Sequence, residues 1–205
     1  MAEAVARGAG GLAIETLSGA AILPHLDRLA ALRIAVFRAF PYLYEGDAAY
    51  ERDYLTTYAR SETAAIVIAR DGGRAVGAST CLKLEDAPAA VQAPFRAAGF
   101  DIGEVFYFGE SVLRPAYRGR GAGVAFFEAR EAHARAAGAR IAAFCAVDRP
   151  ADDPRRPEDY VPLAAFWTKR GYTRRPDLAC TMTWREIGAA EETPHRLTFW
   201  LKTLA

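Results

Sequence analysis

A chain of 205 residues is long enough for one domain with a substantial core and too short for two ordinary ones. The hydrophobic set makes up 52% and charged residues 25%, with 26 bases nearly matched by 25 acids, which disfavours both a disordered chain and a polyanionic partner. A nucleic-acid binder would gather a basic excess on one face, whereas arginines and acids alternate through this sequence.

Residues 1–10 carry small side chains and no apolar stretch of signal-peptide length, so a flexible start is expected, followed by one domain over 11–205. No window approaches a membrane span. Residues 11–17 read as a first strand. Leu26, Leu29, Val36, Phe37 and Phe40 recur at helical spacing and predict a helix over 23–40, with Pro24 in its first turn, where a missing N–H costs least. The run from Phe40 to Asp47 breaks that pattern. A second helix is expected over 48–60, with Tyr50, Tyr54 and Tyr58 on one stripe, ordinarily a core face. Residues 63–70 and 74–84 flank Asp71-Gly72-Gly73, whose glycines accept the positive φ of a tight hairpin.

The alanine- and proline-rich stretch 85–103 is expected as an excursion between strands, with a short helix near 91–98. A strand over 104–114, a helix over 121–137 stopped by Gly138, and a strand over 140–148 form a strand–helix–strand unit, which requires a parallel pair and a right-handed crossover. A charged loop over 149–159, a short helix around 162–170 and two β-rich runs, 178–186 and 195–204, complete the chain, the last two as a hairpin. Cys81, Cys145 and Cys180 each lie in an apolar run without CxxC or Cys/His spacing, which speaks against a zinc site and a disulfide framework and fits a reducing cytoplasm. His25, His133 and His195 stand far apart, so no metal is expected.

The informative piece is Tyr117-Arg118-Gly119-Arg120-Gly121-Ala122-Gly123, set between an apolar strand and an amphipathic helix. Three glycines in five positions remove side chains where backbone N–H groups converge, and the following helix adds its unsatisfied donors and positive dipole end. Such a turn is an anion cradle. A Walker A loop would close on Gly-Lys-Ser/Thr, where Gly123-Val124-Ala125 stands here. A dinucleotide fingerprint needs GxGxxG early in its unit, and the spacing here is GxGxG in mid-chain.

The run from Ser111 to Gly123, SVLRPAYRGRGAG, resembles the acyl-CoA-binding motif of the GNAT superfamily of N-acetyltransferases, [RQ]xxGx[GA] after a V-x-P-x-[YF] approach. The matching positions are Leu113, Pro115, Tyr117, Arg118, Gly121 and Gly123, and the family's late [FY]xxxG[FY] signature reads here as Trp167 to Tyr172. The resemblance implies an α/β single-domain GNAT fold: a mixed central sheet of about six to seven strands, helices on both faces, and a splayed parallel strand pair at the acyl-CoA site. It implies acetyl-CoA as cosubstrate, with backbone groups of Val112 and Leu113 meeting the pantetheine arm, and amides of Arg118, Gly119, Arg120, Gly121, Ala122 and Gly123 holding the pyrophosphate. Direct attack of an amine on the thioester needs a deprotonated nitrogen, a backbone N–H for the oxyanion and a proton for the departing thiolate.

Several positions depart from the family pattern. The acidic base often found eleven residues before the first motif residue is replaced by Tyr107, bracketed by Glu104 and Glu110. Glu110 in its apolar run is expected either to act as the base or to be tied to a neighbouring arginine. The family's usual acid, a tyrosine in the last short helix, is replaced by Trp167, whose indole cannot serve and is expected to pack beside the acyl group. If that helix starts early enough, Tyr160 shares its face and becomes the candidate acid, the alternative being a tyrosine that anchors its loop. Tyr42, Tyr44 and Glu45 lie where relatives bind the acceptor; the competing expectation is that the aromatics anchor a loop and Asp47 caps the next helix. The acceptor is expected to be a small-molecule amine or a protein or peptide amine, with neither nucleic acid nor membrane as partner. A homodimer is compatible with the sequence, and an acyl-CoA-binding sensor without turnover is the alternative activity.

Overall fold

The computed structural model describes residues 6, 7 and 9–204. Nine strands form one mixed sheet: β1 (Ala6–Arg7), β2 (Ala13–Leu17), β3 (Ala65–Asp71), β4 (Arg74–Lys83), β5 (Val105–Tyr107), β6 (Ser111–Leu113), β7 (Ile141–Val147), β8 (Thr173–Arg185) and β9 (Glu192–Thr203). Their order is β1-β2-β3-β4-β5-β7-β9-β8, with β6 beside β4. The β5–β7 pair is parallel and the others are antiparallel. The helices are α1 (Leu26–Phe37), α2 (Ala48–Arg60), α3 (Ala89–Ala97), α4 (Ala122–Ala136) and α5 (Ala164–Lys169).

Strand β3 is apolar almost throughout because both its faces are covered. Ile66 and Ile68 join Leu29 and Leu32 of α1, Leu55 and Tyr58 of α2 and Phe95 of α3 on one side. Val67 meets Phe126 of α4 on the other, where Phe127 packs with Phe106, Phe108 and Phe144 and with Phe166 and Trp167 of α5. Burying a phenylalanine of this kind contributes about 1.5–3 kcal/mol, so the aromatic cluster under α4 anchors that helix to the sheet.

Most expected elements form, with shifted ends. Residues Gly19–His25 make a 3-10 stretch that holds Pro24, and α1 starts only at Leu26. It stops at Phe37, short of the expected 40, because Pro41 disfavours helical backbone at Phe40. Of the expected flexible start, residues 1–5 and 8 lie outside the described residues, while Ala6–Arg7 pairs with β2. Gly72 and Gly73, at φ 51° and 85°, make the two-residue turn between β3 and β4.

The expected strand over 104–114 breaks in two. Thr80 on β4 faces two residues, Gly109 and Glu110: its carbonyl accepts from the Gly109 amide at 3.1 Å, and its amide donates to the Glu110 carbonyl at 3.0 Å. This is a β-bulge, one residue more on the 105–113 side than on β4. A glycine is required there, because a Cβ at position 109 would land on Tyr58 Oη and Thr80 Oγ1. That break and the β1 strand account for nine strands where about six to seven are implied by the family pattern.

Candidate functional site

The bulge determines where the sheet opens. Before it, β5 and β7 run side by side, and the Phe108 amide still donates to Ala143 O at 2.8 Å. After it, β6 follows β4, while β7 follows β9 as far as Val147 opposite Leu197. The strands therefore splay, and a gap opens between β6 and the second half of β7. In the β4–β6 ladder Arg114 N donates to Val76 O and Thr80 N to Glu110 O, each at 3.0 Å. By alternation Val112 exchanges its backbone bonds with β4, and Ser111 and Leu113 direct theirs at the gap. Of the two residues expected to offer backbone here, Leu113 faces the opening and Val112 does not; the Ser111 backbone faces it as well.

The glycine turn closes one end of this gap. Arg118 N folds back on Pro115 O, and the Val124 and Ala125 amides fold back on Gly121 O. Between these closures lie the amides of Gly119, Arg120, Gly121, Ala122 and Gly123, the last two in the first turn of α4, where no intrahelical acceptor exists. Gly119 and Gly121 have φ 76° and 83°, the left-handed region that other residues enter at a cost, which turns successive N–H groups to one side. Gly123 lies beside the Phe166 ring of α5, where an added Cβ would make ordinary contact at 3.4 Å. Tyr117 anchors the approach by donating to Asp71 Oδ2 at 2.9 Å, with Arg120 over its ring.

Behind the bulge, on the α1 and α2 side, lies a buried ionic cluster. Arg33 of α1 pairs with Glu51 of α2 and with Glu110, and all three side chains are nearly closed to solvent. Tyr54 Oη donates to Glu110 Oε2 at 2.9 Å and shares a 2.8 Å hydrogen bond with Tyr58, while the Arg33 guanidinium stands 4.3 Å above the Tyr54 ring. Burial, followed by the Glu110 charge, pushes both phenols above their ordinary range. Of the two roles open to Glu110, the ion pair is present. Tyr107 points to the same side with its hydroxyl 3.4 Å from Cys145 Sγ, and burial raises its pKa as well.

The loop after α1 covers this cluster. The Tyr42 phenol lies among Arg33, Glu110, Cys145 and Tyr160, and burial is the main cause of its raised pKa. Burial and the nearby Glu51 carboxylate raise the Tyr44 pKa; Glu45 is half exposed, 3.8 Å from Arg38. Asp47 caps α2 by accepting from Tyr50 N at 2.7 Å. Tyr160 is not on the last short helix: α5 begins at Ala164, so the shared face with Trp167 does not exist. Its ring packs edge-on against Phe40 at 4.8 Å under Arg156, and burial raises its pKa. Trp167 instead stands against Phe144 and Trp200, 5.1 Å from each.

Sequence reasoning missed Arg33 and Glu51, although each is a charged residue on a helix's apolar stripe, Arg33 seven residues after Leu26 and Glu51 seven before Tyr58. The charged loop over 149–159 is tied down by its own arginines. Arg149 donates to Pro41 O at 2.6 Å and Tyr42 O at 3.2 Å and pairs with Glu186, which Arg155 also grips. Arg155 is fixed in turn by Asp153, whose carboxyl it holds well below the usual range. The loop thus clasps the segment that carries Tyr42.

Comparison with known proteins places these features in a family context. The profile of the acetyltransferase (GNAT) family matches residues 29–157, more than half of the chain. No curated protein matches the chain in sequence. Among solved structures, the yncA protein of Salmonella typhimurium, determined with acetyl-CoA, aligns with a TM-score of 0.58 at 14% identity, covering 95% of this chain and 94% of that one. The ribosomal-protein-alanine N-acetyltransferase of Brucella melitensis gives 0.59 at 14% identity, covering 92% and 99%. A GNAT-family acetyltransferase of Streptococcus pneumoniae gives 0.57 at 14%, covering 95% and 99%.

Proposed function

Because the chain belongs to the GNAT family of acetyltransferases, we propose that it moves an acetyl group from acetyl-CoA to the nitrogen of an amine. The observation that carries this reading is the splayed gap between β6 and β7 ending on the left-handed turn at Gly119 and Gly121. Ser111 and Leu113 fit an extended, amide-bearing arm, and the amides from Gly119 to Gly123 fit a pyrophosphate. That yncA was determined with acetyl-CoA, and that the Brucella enzyme is named for a protein amine, support the donor and the amine class.

In the transfer the amine nitrogen forms a bond to the acetyl carbon, the carbon–sulfur bond breaks, the nitrogen gives up one proton and the thiolate takes one. A free alkylammonium, with a pKa about that of lysine, 10.4, has to be deprotonated first. We assign that task to Glu110, which lies at the bulge where the gap begins, and assign to Ser111 N–H the charge that develops on the acetyl oxygen. Tyr160 is the proposed donor to the thiolate, and the Tyr42, Tyr44 and Glu45 loop the proposed acceptor wall, suited to a cation by its aromatic faces and carboxylate.

The engagement of Glu110 by Arg33 and Tyr54 favours a second reading, an acyl-CoA-binding protein without turnover. Thiol release from acetyl-CoA across polyamines, aminoglycosides, amino acids and peptides separates the two. Release with any amine supports the transferase; tight acetyl-CoA binding without release across the whole panel supports the sensor.

A further inference from the structure

The peptide unit joining Glu110 to Ser111 is built unlike its neighbours. Its carbonyl, on Glu110, receives the Thr80 amide at 3.0 Å and the Ser79 hydroxyl at 3.1 Å, and the guanidinium of Arg130 reaches it at 3.4 Å. Its N–H, on Ser111, faces the gap, as the β4–β6 register requires. Arg130 is a buried cation on α4, 2% exposed. Its guanidinium is engaged by two backbone carbonyls, Phe126 and Glu110, and by the faces of Phe108 at 4.3 Å and Phe127 at 4.9 Å. Burying a charge in an aromatic pocket is costly unless the surroundings use it, and neither the acyl-CoA cradle nor the acceptor wall does.

An amide is a resonance dipole: donors and positive charge at its oxygen draw density from nitrogen and make the N–H a stronger hydrogen-bond donor. The third donor is long, but a cation in a low-dielectric setting still acts on a carbonyl dipole at that distance. We propose that Arg130 and Ser79 are positioning residues that polarise the Glu110–Ser111 peptide, so that Ser111 N–H meets the acetyl oxygen as a strengthened donor as the C–N bond forms and the C–S bond breaks. The inference rests on the acetyl-transfer reading and adds to it a device on the opposite face of the sheet from Glu110's carboxylate. Serine 79 serves twice, because its hydroxyl also lies 3.0 Å from Ser111 Oγ and so fixes the bulge's exit.

The test uses the full chain with 13C-carbonyl acetyl-CoA and reads the thioester C=O stretch of the bound molecule by difference infrared spectroscopy, beside kcat and the acetyl-CoA Kd. In the parent the stretch falls below its value in water. Arg130→Met, which fills the same volume without charge, and Ser79→Ala, a small change that spares the fold, are each expected to return part of that fall. They should also lower kcat by about tenfold, less than the loss of an entire oxyanion donor, with Kd unchanged. Arg130→Lys should recover part of both effects. Folded variants whose carbonyl stretch matches the parent overturn the inference, whether or not kcat falls, because the stretch reports the hydrogen bond at the acetyl oxygen directly. A parent that fails to bind acetyl-CoA in calorimetry overturns the acetyl-transfer reading first, and this inference with it.

Discussion

The two halves of the site are built by different means. The glycine turn uses backbone alone: positive φ at Gly119 and Gly121 and the open first turn of α4 supply donors that need no side chain. The cluster behind the bulge uses almost only side chains: Arg33, Glu51, Glu110 and four tyrosines drawn from α1, α2, the loop after α1 and the 105–113 segment. A backbone cradle tolerates changes in the side chains around it and fails when a Cβ is added. A side-chain cluster fails when one charge is removed, since the rest is left unpaired in a low dielectric.

The sharpest way to break this contrast is Arg33→Met. It strands Glu51 and Glu110 as two buried carboxylates, and a loss of about 3–5 kcal/mol in urea unfolding is expected. A loss well below about 1 kcal/mol would mean the carboxylates find other partners and the cluster is not organised by Arg33. Next in size is Glu110→Gln, which keeps the shape and Tyr54's partner but removes the proposed base. The expected fall in kcat/KM is roughly 10²–10⁴-fold with acetyl-CoA affinity retained, and a pH–rate profile identical to the parent's would move the base elsewhere.

On the backbone side, Gly121→Val forces a β-branched residue to φ 83°, a strain of about 1–2 kcal/mol, and sets a side chain into the cradle. Acetyl-CoA binding in calorimetry should weaken by about tenfold or more, whereas Arg118→Ala should weaken it less. Equal affinity in a folded Gly121→Val protein would remove the pyrophosphate from this turn.

A smaller effect tests the clasp over the site. Burial lowers the pKa of His195, which stacks on Trp184 beside Glu186, so the folded protein resists protonating it more than the unfolded chain does. The unfolded state then binds more protons, and stability rises with pH. This contribution is complete above the unfolded value of about 6.5 and is lost as pH falls from there through the lowered folded value. His195→Gln should flatten the fall of Tm between pH 7.5 and pH 5.5; an undiminished slope would assign it to other groups. The smallest effect expected is that of Tyr160→Phe, which deletes only a hydroxyl. A modest drop in kcat that grows with poorer thiol leaving groups is expected, and an unchanged kcat with such a thioester would show that Tyr160 anchors its loop against Phe40.

What was legible in the sequence was whatever depends on residues close together in it. The strand, turn and helix over 104–138, the Gly72-Gly73 hairpin and the α2 helix at 48–60 follow from spacing and from glycine's access to positive φ, and these are local properties. The family resemblance rests on the same local run, so the proposed phosphate cradle could be named residue by residue. The resemblance also implied the α/β sheet with helices on both faces, and β3's unbroken apolar run is indeed covered on both sides.

The tertiary structure alone decided the rest, because it depends on meetings between distant residues. Arg33 and Glu110 are brought together from α1 and the bulge, and Arg149 and Glu186 across the clasp. The bulge itself was invisible to period-two reading, which sees 104–114 as one strand; it exists because Thr80 on another strand faces two residues and Gly109 has no Cβ to strike Tyr58. The expected face shared by Tyr160 and Trp167 depended on where a short helix begins, a boundary fixed by packing and not by local propensity. Sequence determined which backbone forms the left-handed glycine turn, because a turn's φ angles are chosen locally. Only the fold could decide whether Glu110 stands alone or beside a guanidinium, because a buried carboxylate takes its character from whatever the chain brings within reach.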